Sequence, residues 1–233
     1  MTDHKITIAI DGFSSTGKST VAKQLAKELS YVYVDTGAMY RAITLYAMRK
    51  GFITKDSFDT DSLIKDLPNL NLKFAFEAAR GFAAIYLNDE NIEDEVRTLE
   101  VSQYVSRVAA VSEVRAKLVS QQQLMGLEKG VVMDGRDIGT VVFPNAELKI
   151  FMTATAEERA KRRFKEMKQK GQEVSYDEVL KNVEERDHLD TTREDSPLVK
   201  AEDAIEIDNS SLSLDEQFNT LLNISNEVIA KQN

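Results

Sequence analysis

Eight residues, Gly12-Phe-Ser-Ser-Thr-Gly17-Lys18-Ser19, constrain this chain more than any others. They match G-x-x-x-x-G-K-[ST] at every required position, and the motif has meaning only between a strand and a helix. Its flanks supply both. Ile6-Thr-Ile-Ala-Ile10 is a short β-branched run that stops at Asp11-Gly12, and a helical pattern opens near Lys18 and runs to Leu29. In this strand–loop–helix arrangement, the P-loop, glycines let the backbone turn so that successive N–H groups and the positive helix end face phosphate oxygens. Lys18 is placed to reach the β and γ oxygens of a nucleoside triphosphate, and Ser19 to offer its hydroxyl to Mg²⁺. Ser14, Ser15, Thr16 and Thr20 complete the expected phosphate-binding stretch. Lys18 is expected to be a surface-loop residue with little packing role.

The rest of the chain supplies the frame for such a loop. Tyr31 to Val34 is a second short strand pattern, and Met39, Ile43, Leu45, Tyr46 and Met48 then recur at helical spacing as far as Gly51. The β-α-β-α order predicts a parallel sheet covered by helices. Alternation from Asn71 to Glu77 and from Phe82 to Leu87 predicts a hairpin within an inserted subdomain. Val96–Val111 and Val114–Leu127 read as helices, Gly130–Asp134 and Leu148–Met152 as core strands, and Glu157–Lys170 and Tyr176–Leu189 as two charged helices. A last strand is expected at Ala204–Asp208 and an amphipathic helix at Leu212–Ala230.

Composition closes off other classes. Thirty Lys and Arg against 39 Asp and Glu leave a net charge of −9, which gives no global attraction for nucleic acid or an anionic membrane. Without cysteine there is no disulfide, thiolate metal site or catalytic thiol, and the two histidines argue against a His-clustered metal site. The amino terminus lacks a basic region followed by a long apolar one, and no stretch approaches about 18 apolar residues, so a cytoplasmic protein without membrane or nucleic-acid partners is expected.

A P-loop names the nucleotide and leaves its acceptor open. A GTPase should carry Asn/Thr-Lys-x-Asp after a later strand, and Thr54-Lys55-Asp56 has neither the spacing nor the context. A partner-coupled ATPase should show a partner-binding array. A small-molecule kinase needs several arginines aimed at a second anion, and arginines recur through the later motifs. The different-class alternative is a nucleotide switch that hydrolyses ATP slowly and acts on a protein partner.

Four motifs in order sharpen this. They are the P-loop, Asp35-Thr-Gly-Ala-Met-Tyr-Arg41, Asp134-Gly-Arg-Asp-Ile-Gly-Thr-Val-Val-Phe-Pro144, and Glu185-Arg-Asp-x-x-Asp190-x-x-Arg193. The sequence closely resembles bacterial cytidylate kinases, members of the nucleoside monophosphate kinase family, over nearly its whole length. Phe13 and Ser15 depart from it, standing where bacterial members often have Pro and Gly.

The resemblance implies an α/β P-loop NTPase fold, a three-layer sandwich with a parallel central sheet. A CORE would span about residues 1–60, 112–156 and 190–233, an NMP-binding insertion with β structure about 61–111, and a small helical LID about 157–175. It implies γ-phosphoryl transfer from ATP to CMP or dCMP with Mg²⁺, by a monomer. Arg41, Arg136 and Arg193 would then hold the acceptor phosphate, with Thr36 also on the substrate. Ser106, Arg115 and Asp137 would read cytosine, and Arg186 and Asp190 would reach the pentose hydroxyls. Asp134, ending an apolar strand, would hold Mg²⁺ through water alongside Ser19. Lys18, Arg136, Arg159 and Arg163 would stabilise the transferring phosphoryl group, the last two from the LID.

Overall fold

The computed structural model describes residues 5–80 and 82–232. These divide into two compact units, one formed by residues up to Val34 together with Gln123 onward, the other by Asp35–Gln122. The second unit therefore starts earlier and ends later than the 61–111 insertion expected from the sequence.

The first unit opens with β1 (Thr7–Gly12), α1 (Lys18–Glu28) and β2 (Val32–Asp35), whose last residue begins the second unit. The second unit continues with α2 (Thr36–Arg49), α3 (Thr60–Asp66), β3 (Leu72–Glu77), β4 (Phe82–Leu87), β5 (Glu90–Asn91), α4 (Leu99–Ala109) and most of α5 (Ser112–Met125). The chain then re-enters the first unit through β6 (Val131–Gly135), β7 (Leu148–Thr153), α6 (Ala156–Gln169), α7 (Tyr176–Thr192), β8 (Ile205–Asp208) and α8 (Leu214–Ala230).

In the first unit the strands lie in the order β2-β6-β1-β7-β8. Pairing of β1 with β6 and β7, and of β7 with β8, is parallel, as the β-α-β-α pattern predicts. β1 has a strand on each side, and all six of its residues are buried, which is why Ile8-Ala-Ile10 at its centre is continuously apolar instead of alternating. Ile8 and Ile10 pack in one cluster with Val21, Ala22 and Leu25 of α1 and Leu221 of α8. Truncating Leu25, which has no exposed surface, to Ala would cost about 2–5 kcal/mol. Parallel register brings Ile10 opposite both Asp134 and Ile150, so the loops after β1 and β6 leave the sheet at one edge.

In the second unit β3 and β4 pair antiparallel from Leu72↔Leu87 to Glu77↔Phe82, the hairpin expected from alternation. Two elements there lacked a sequence signal. β5 is two residues long, too short for periodicity, and α3 is a seven-residue helix set by Asp59, whose Oδ1 accepts the Ser62 N–H. The helix read as Val96–Val111 starts only at Leu99, because the Thr98 side chain caps it and Glu95–Arg97 form a separate 3₁₀ turn. Among the described residues no helix is long and apolar enough to cross a membrane.

Candidate active site

The loop between β1 and α1 adopts the shape its glycines allow. Gly12 has φ 143°, and a Cβ on it would lie 2.0 Å from the Met152 carbonyl oxygen of β7, so no side chain fits there. Gly17 has φ 90° and starts α1 with no side-chain cap, whereas side chains cap α2, α4, α6, α7 and α8. The first-turn amides of α1 thus meet no capping side chain of the protein, as a helix end that receives an external anion requires. Ser15 sits at φ 59°, a left-handed conformation that a glycine would adopt without steric cost.

Lys18 corrects an expectation, since it is buried and not an exposed loop residue. Its Nζ donates to the Phe13 carbonyl at 2.6 Å and lies 3.3 Å from Thr16 Oγ1, so the loop curls around the ammonium. Burial, and then the neighbouring Arg136, pull its pKa down to about 7. A group in that state gains strongly from phosphate oxygens, which restore the charged form.

Ser14 and Thr16 are also buried, while Ser15 and Ser19 are half-buried and Thr20 is exposed. Ser19 Oγ donates to Asp134 Oδ2 at 2.9 Å, and Asp134 Oδ1 accepts from the Tyr33 hydroxyl at 2.7 Å. Hydroxyl and carboxylate together form a hard oxygen pair, which fits Mg²⁺, an ion that takes one or two protein ligands and otherwise keeps waters and phosphate oxygens. Among the described residues no three His, Cys, Asp or Glu cluster as a full protein cage would require.

Past β6, Arg136, Arg186 and Arg193 gather about Asp190. Arg136 Nε donates to Asp190 Oδ2 at 2.8 Å. Burial pushes the Asp190 carboxyl up, but Arg136, Arg186 and Arg193 outweigh it and hold it below the usual carboxylate range. Arg193 Nη2 also lies 3.8 Å from Asp137 Oδ1, and both groups are buried. Three guanidinium groups, facing the Asp190 and Asp137 carboxylates in a buried setting, offer the planar donors that a phosphate takes.

The two arginines that the sequence led us to expect in a LID, Arg159 and Arg163, occupy different settings. Arg163 is half-buried on α6. Arg159 is buried, donating Nε to the Ala154 carbonyl at 2.9 Å and Nη1 to Asp187 at 2.9 Å and to the Ser14 carbonyl at 3.3 Å. Its guanidinium also lies over the Phe13 ring, 5.1 Å from the centroid. Here it braces the loop through the Phe13 ring and the Ser14 carbonyl.

Sequence reasoning missed three further supports. Asp11 accepts the Ile138 and Gly139 N–H groups at 2.8 and 2.7 Å, tying the segment after Asp137 to the end of β1; burial raises its pKa to about 7 despite those bonds. Asn209, fully buried, donates Nδ2 to the Thr16 carbonyl and to Gln217 Oε1. Arg162 Nη1 donates to Asn209 Oδ1 at 3.0 Å. Asp11 stood beside the motif and could have been marked, whereas nothing in the order of residues joins Asn209 to Thr16.

The second unit holds the other expected residues. Thr36 is buried at the start of α2, and Asp35 caps that helix and accepts from Arg41 Nη2 at 3.2 and 3.3 Å. Ser106 is buried on α4; Arg115, buried on α5, has its guanidinium 5.7 Å from the Tyr40 ring centroid. Arg97 and Glu93, which no motif marked, join Arg41 through Asp35.

Comparison with known proteins identifies the family. The sequence profile described as cytidylate kinase matches residues 8–227. The chain is 67% identical to a cytidylate kinase of Flavobacterium johnsoniae over 225 residues, covering 97% of this chain and 98% of that protein. It is 66% identical to the cytidylate kinase of Flavobacterium psychrophilum, with 96% and 99% covered, and 57% identical to that of Phocaeicola vulgatus, with 91% and 93% covered. With a P-loop, a Ser19–Asp134 oxygen pair and an arginine cluster on Asp190 in place, and a profile match spanning nearly the whole chain, this protein belongs to the cytidylate kinase family.

Proposed function

We propose that the chain transfers the γ-phosphoryl group of ATP to CMP or dCMP, giving ADP and CDP or dCDP. The observation that carries this reading is the pairing, within one unit, of an uncapped P-loop helix with a buried group of three arginines. One feature serves a triphosphate and the other an acceptor anion. The family resemblance supports a cytoplasmic monomer acting on small nucleotides.

The acceptor attacks through an oxygen of its own phosphate, which is already anionic, so no general base is needed. As that oxygen bonds to the γ-phosphorus, the bond to the ADP bridging oxygen breaks and its electrons leave with ADP. Lys18 holds the charge between the phosphates, and the amides of the loop keep the donor in line. Ser19 and, through water, Asp134 would hold Mg²⁺, which when bound would supply neutralisation of phosphate charge. Arg136 and Arg193 hold the acceptor phosphate, and the family resemblance gives Arg41 the same task. Asp137 takes the cytosine amino group, Arg115 and Ser106 meet its acceptor edge, Arg186 and Asp190 take the sugar hydroxyls, and Thr36 completes the substrate contacts. Arg163 and Arg159 belong to a LID over residues 157–175, with the insertion and CORE as its counterparts.

A coupled assay of ADP release with CMP, dCMP, UMP, AMP and GMP tests the proposal. Release should require a monophosphate and be fastest with CMP or dCMP. Release at the same rate with no monophosphate present would favour a nucleotide switch acting on a protein.

A further inference from the structure

The second unit contains a line of charges of which the reaction above uses only Arg41. Glu93 is 4% exposed, and its Oε2 accepts the Ile85 N–H of β4 at 3.1 Å. Its Oε1 accepts from Arg97 Nε at 3.0 Å and Nη2 at 2.8 Å. The remaining end of the same guanidinium, Nη1, donates to Asp35 Oδ2 at 2.7 Å. Asp35 Oδ1 accepts the Ala38 N–H at 2.9 Å, and the carboxylate takes Arg41 Nη2 at 3.2 and 3.3 Å. The line runs without a break from the hairpin to the helix that carries Arg41.

The distances rank the two arginines. Arg97 grips Asp35 at 2.7 Å, while Arg41 meets it only at 3.2–3.3 Å through one nitrogen. A carboxylate facing a single arginine tends to close a two-bond fork with it, leaving little for another anion. Sharing Asp35 with Arg97 prevents that closure. Gly37 also matters, because a Cβ there would lie 2.9 Å from Arg41 Nη1 and 3.2 Å from Asp35 Oδ1, so the guanidinium lies close over the first turn of α2. Burial would push the Asp35 carboxyl up, but Arg97 and then Arg41 hold it well below the usual carboxylate range, so both arginines face a fixed negative charge. Two other ion pairs of this unit, Arg80–Asp94 and Lys73–Asp89, have far more exposed carboxylates.

We infer that Arg97 is a positioning residue for acceptor-phosphate binding: anchored by Glu93 to β4, it holds Asp35, and Asp35 holds both the N-terminus of α2 and the guanidinium of Arg41. This deepens the proposed function and rests on Arg41 being an acceptor-phosphate ligand. It also gives the β insertion a task, since the Ile85 N–H fixes the first carboxylate of the line.

The test uses the full-length protein and its Arg97→Gln, Arg41→Ala and doubly substituted variants, with CMP binding measured by calorimetry and cytidine as the phosphate-free control. Arg97→Gln should weaken CMP by about tenfold or more while leaving cytidine within about twofold, because the loss falls on charge-assisted phosphate bonds. The KM for ATP should not move. The double variant should bind CMP no worse than Arg41→Ala alone, since groups acting through one another are not additive. Arg97→Lys, which keeps the charge and loses the fork, should recover part of the affinity.

Additive losses would overturn the inference, because Arg97 would then act without Arg41. Equal weakening of CMP and cytidine would overturn it too, as a general loss of structure. If Arg41→Ala leaves CMP binding intact, the reading of Arg41 itself fails and takes the relay with it. Should Arg97→Gln fail to fold, Glu93→Gln and Arg97→Lys carry the same comparison.

Discussion

The P-loop of the first unit and the Asp35 line of the second are held in place by opposite means. Around Gly12–Thr20 the backbone supplies the cradle, and Arg159, Arg162 and Asn209 hold its carbonyls at Ser14 and Thr16. In the second unit the side chains Arg41 and Arg97 carry the charge, and carboxylates, Asp35 and Glu93, hold them. A backbone cradle is fixed by dihedral angles and tolerates no Cβ at its tightest point. A guanidinium site is fixed by partners and tolerates change in proportion to the bonds lost. The two should therefore break differently.

The largest effect should come from Gly12→Ala. With φ at 143° and a new Cβ at 2.0 Å from a backbone oxygen of β7, either the loop or the central sheet must move. Thermal and denaturant unfolding should show a loss of about 3 kcal/mol or more, together with lost turnover. A variant with normal stability would mean that the loop is not held as tightly as its backbone implies.

Lys18→Met should separate chemistry from folding. Turnover should fall by about 10²-fold or more, since the charge that offsets the transferring phosphoryl is gone. The melting temperature should stay level or rise, because a buried ammonium with a lowered pKa is replaced by an apolar chain of similar length. Steady-state rates and thermal melts on one preparation check both halves.

This contrast also explains what could be read in advance. The P-loop is contiguous, and each of its residues has a task set by neighbours in sequence, so Gly12, Gly17, Lys18 and Ser19 were legible. The parallel sheet was legible too, because β1 and β6 are apolar runs closed by Asp11-Gly12 and Asp134-Gly135. The depth of Lys18 was not, since burial depends on how the loop folds over Nζ. Arg97 and Glu93 sit in a 3₁₀ turn and a short connection with no periodicity, 62 and 58 residues from Asp35, and only the fold brings them together. Asn209 lies 193 residues from Thr16 and is invisible for the same reason.

A smaller effect concerns protons. In the free protein the folded-state pKa of Lys18 is about 7, so at about pH 8.5 the amine is largely neutral. Phosphate oxygens raise that pKa, and binding of ATP should take up a fraction of a proton there, the uptake fading as pH falls below about 7, where the amine is already charged. Calorimetry in two buffers of different ionisation enthalpy measures this directly, and Lys18→Met should abolish it. No comparable uptake should accompany CMP binding at arginines, which stay charged throughout.

Base choice tests the account most directly. Asp137 is 3% exposed, and on the proposed reading its carboxylate would attract the N4 amino group of cytosine but meet the O4 carbonyl of uracil lone pair to lone pair. At N3, cytosine accepts where uracil donates, so an arginine aimed at that edge also loses its partner. Each mispaired buried group costs about 1–3 kcal/mol, and two together should favour CMP over UMP by about 10²-fold or more. The measurement is the ratio of kcat/KM for CMP to that for UMP in the wild type and in Asp137→Ala. The wild-type ratio should be large and should collapse in the variant mainly through loss of CMP activity; a ratio unchanged by the substitution would contradict the assignment and leave Asp137 only its place in the turn after β6.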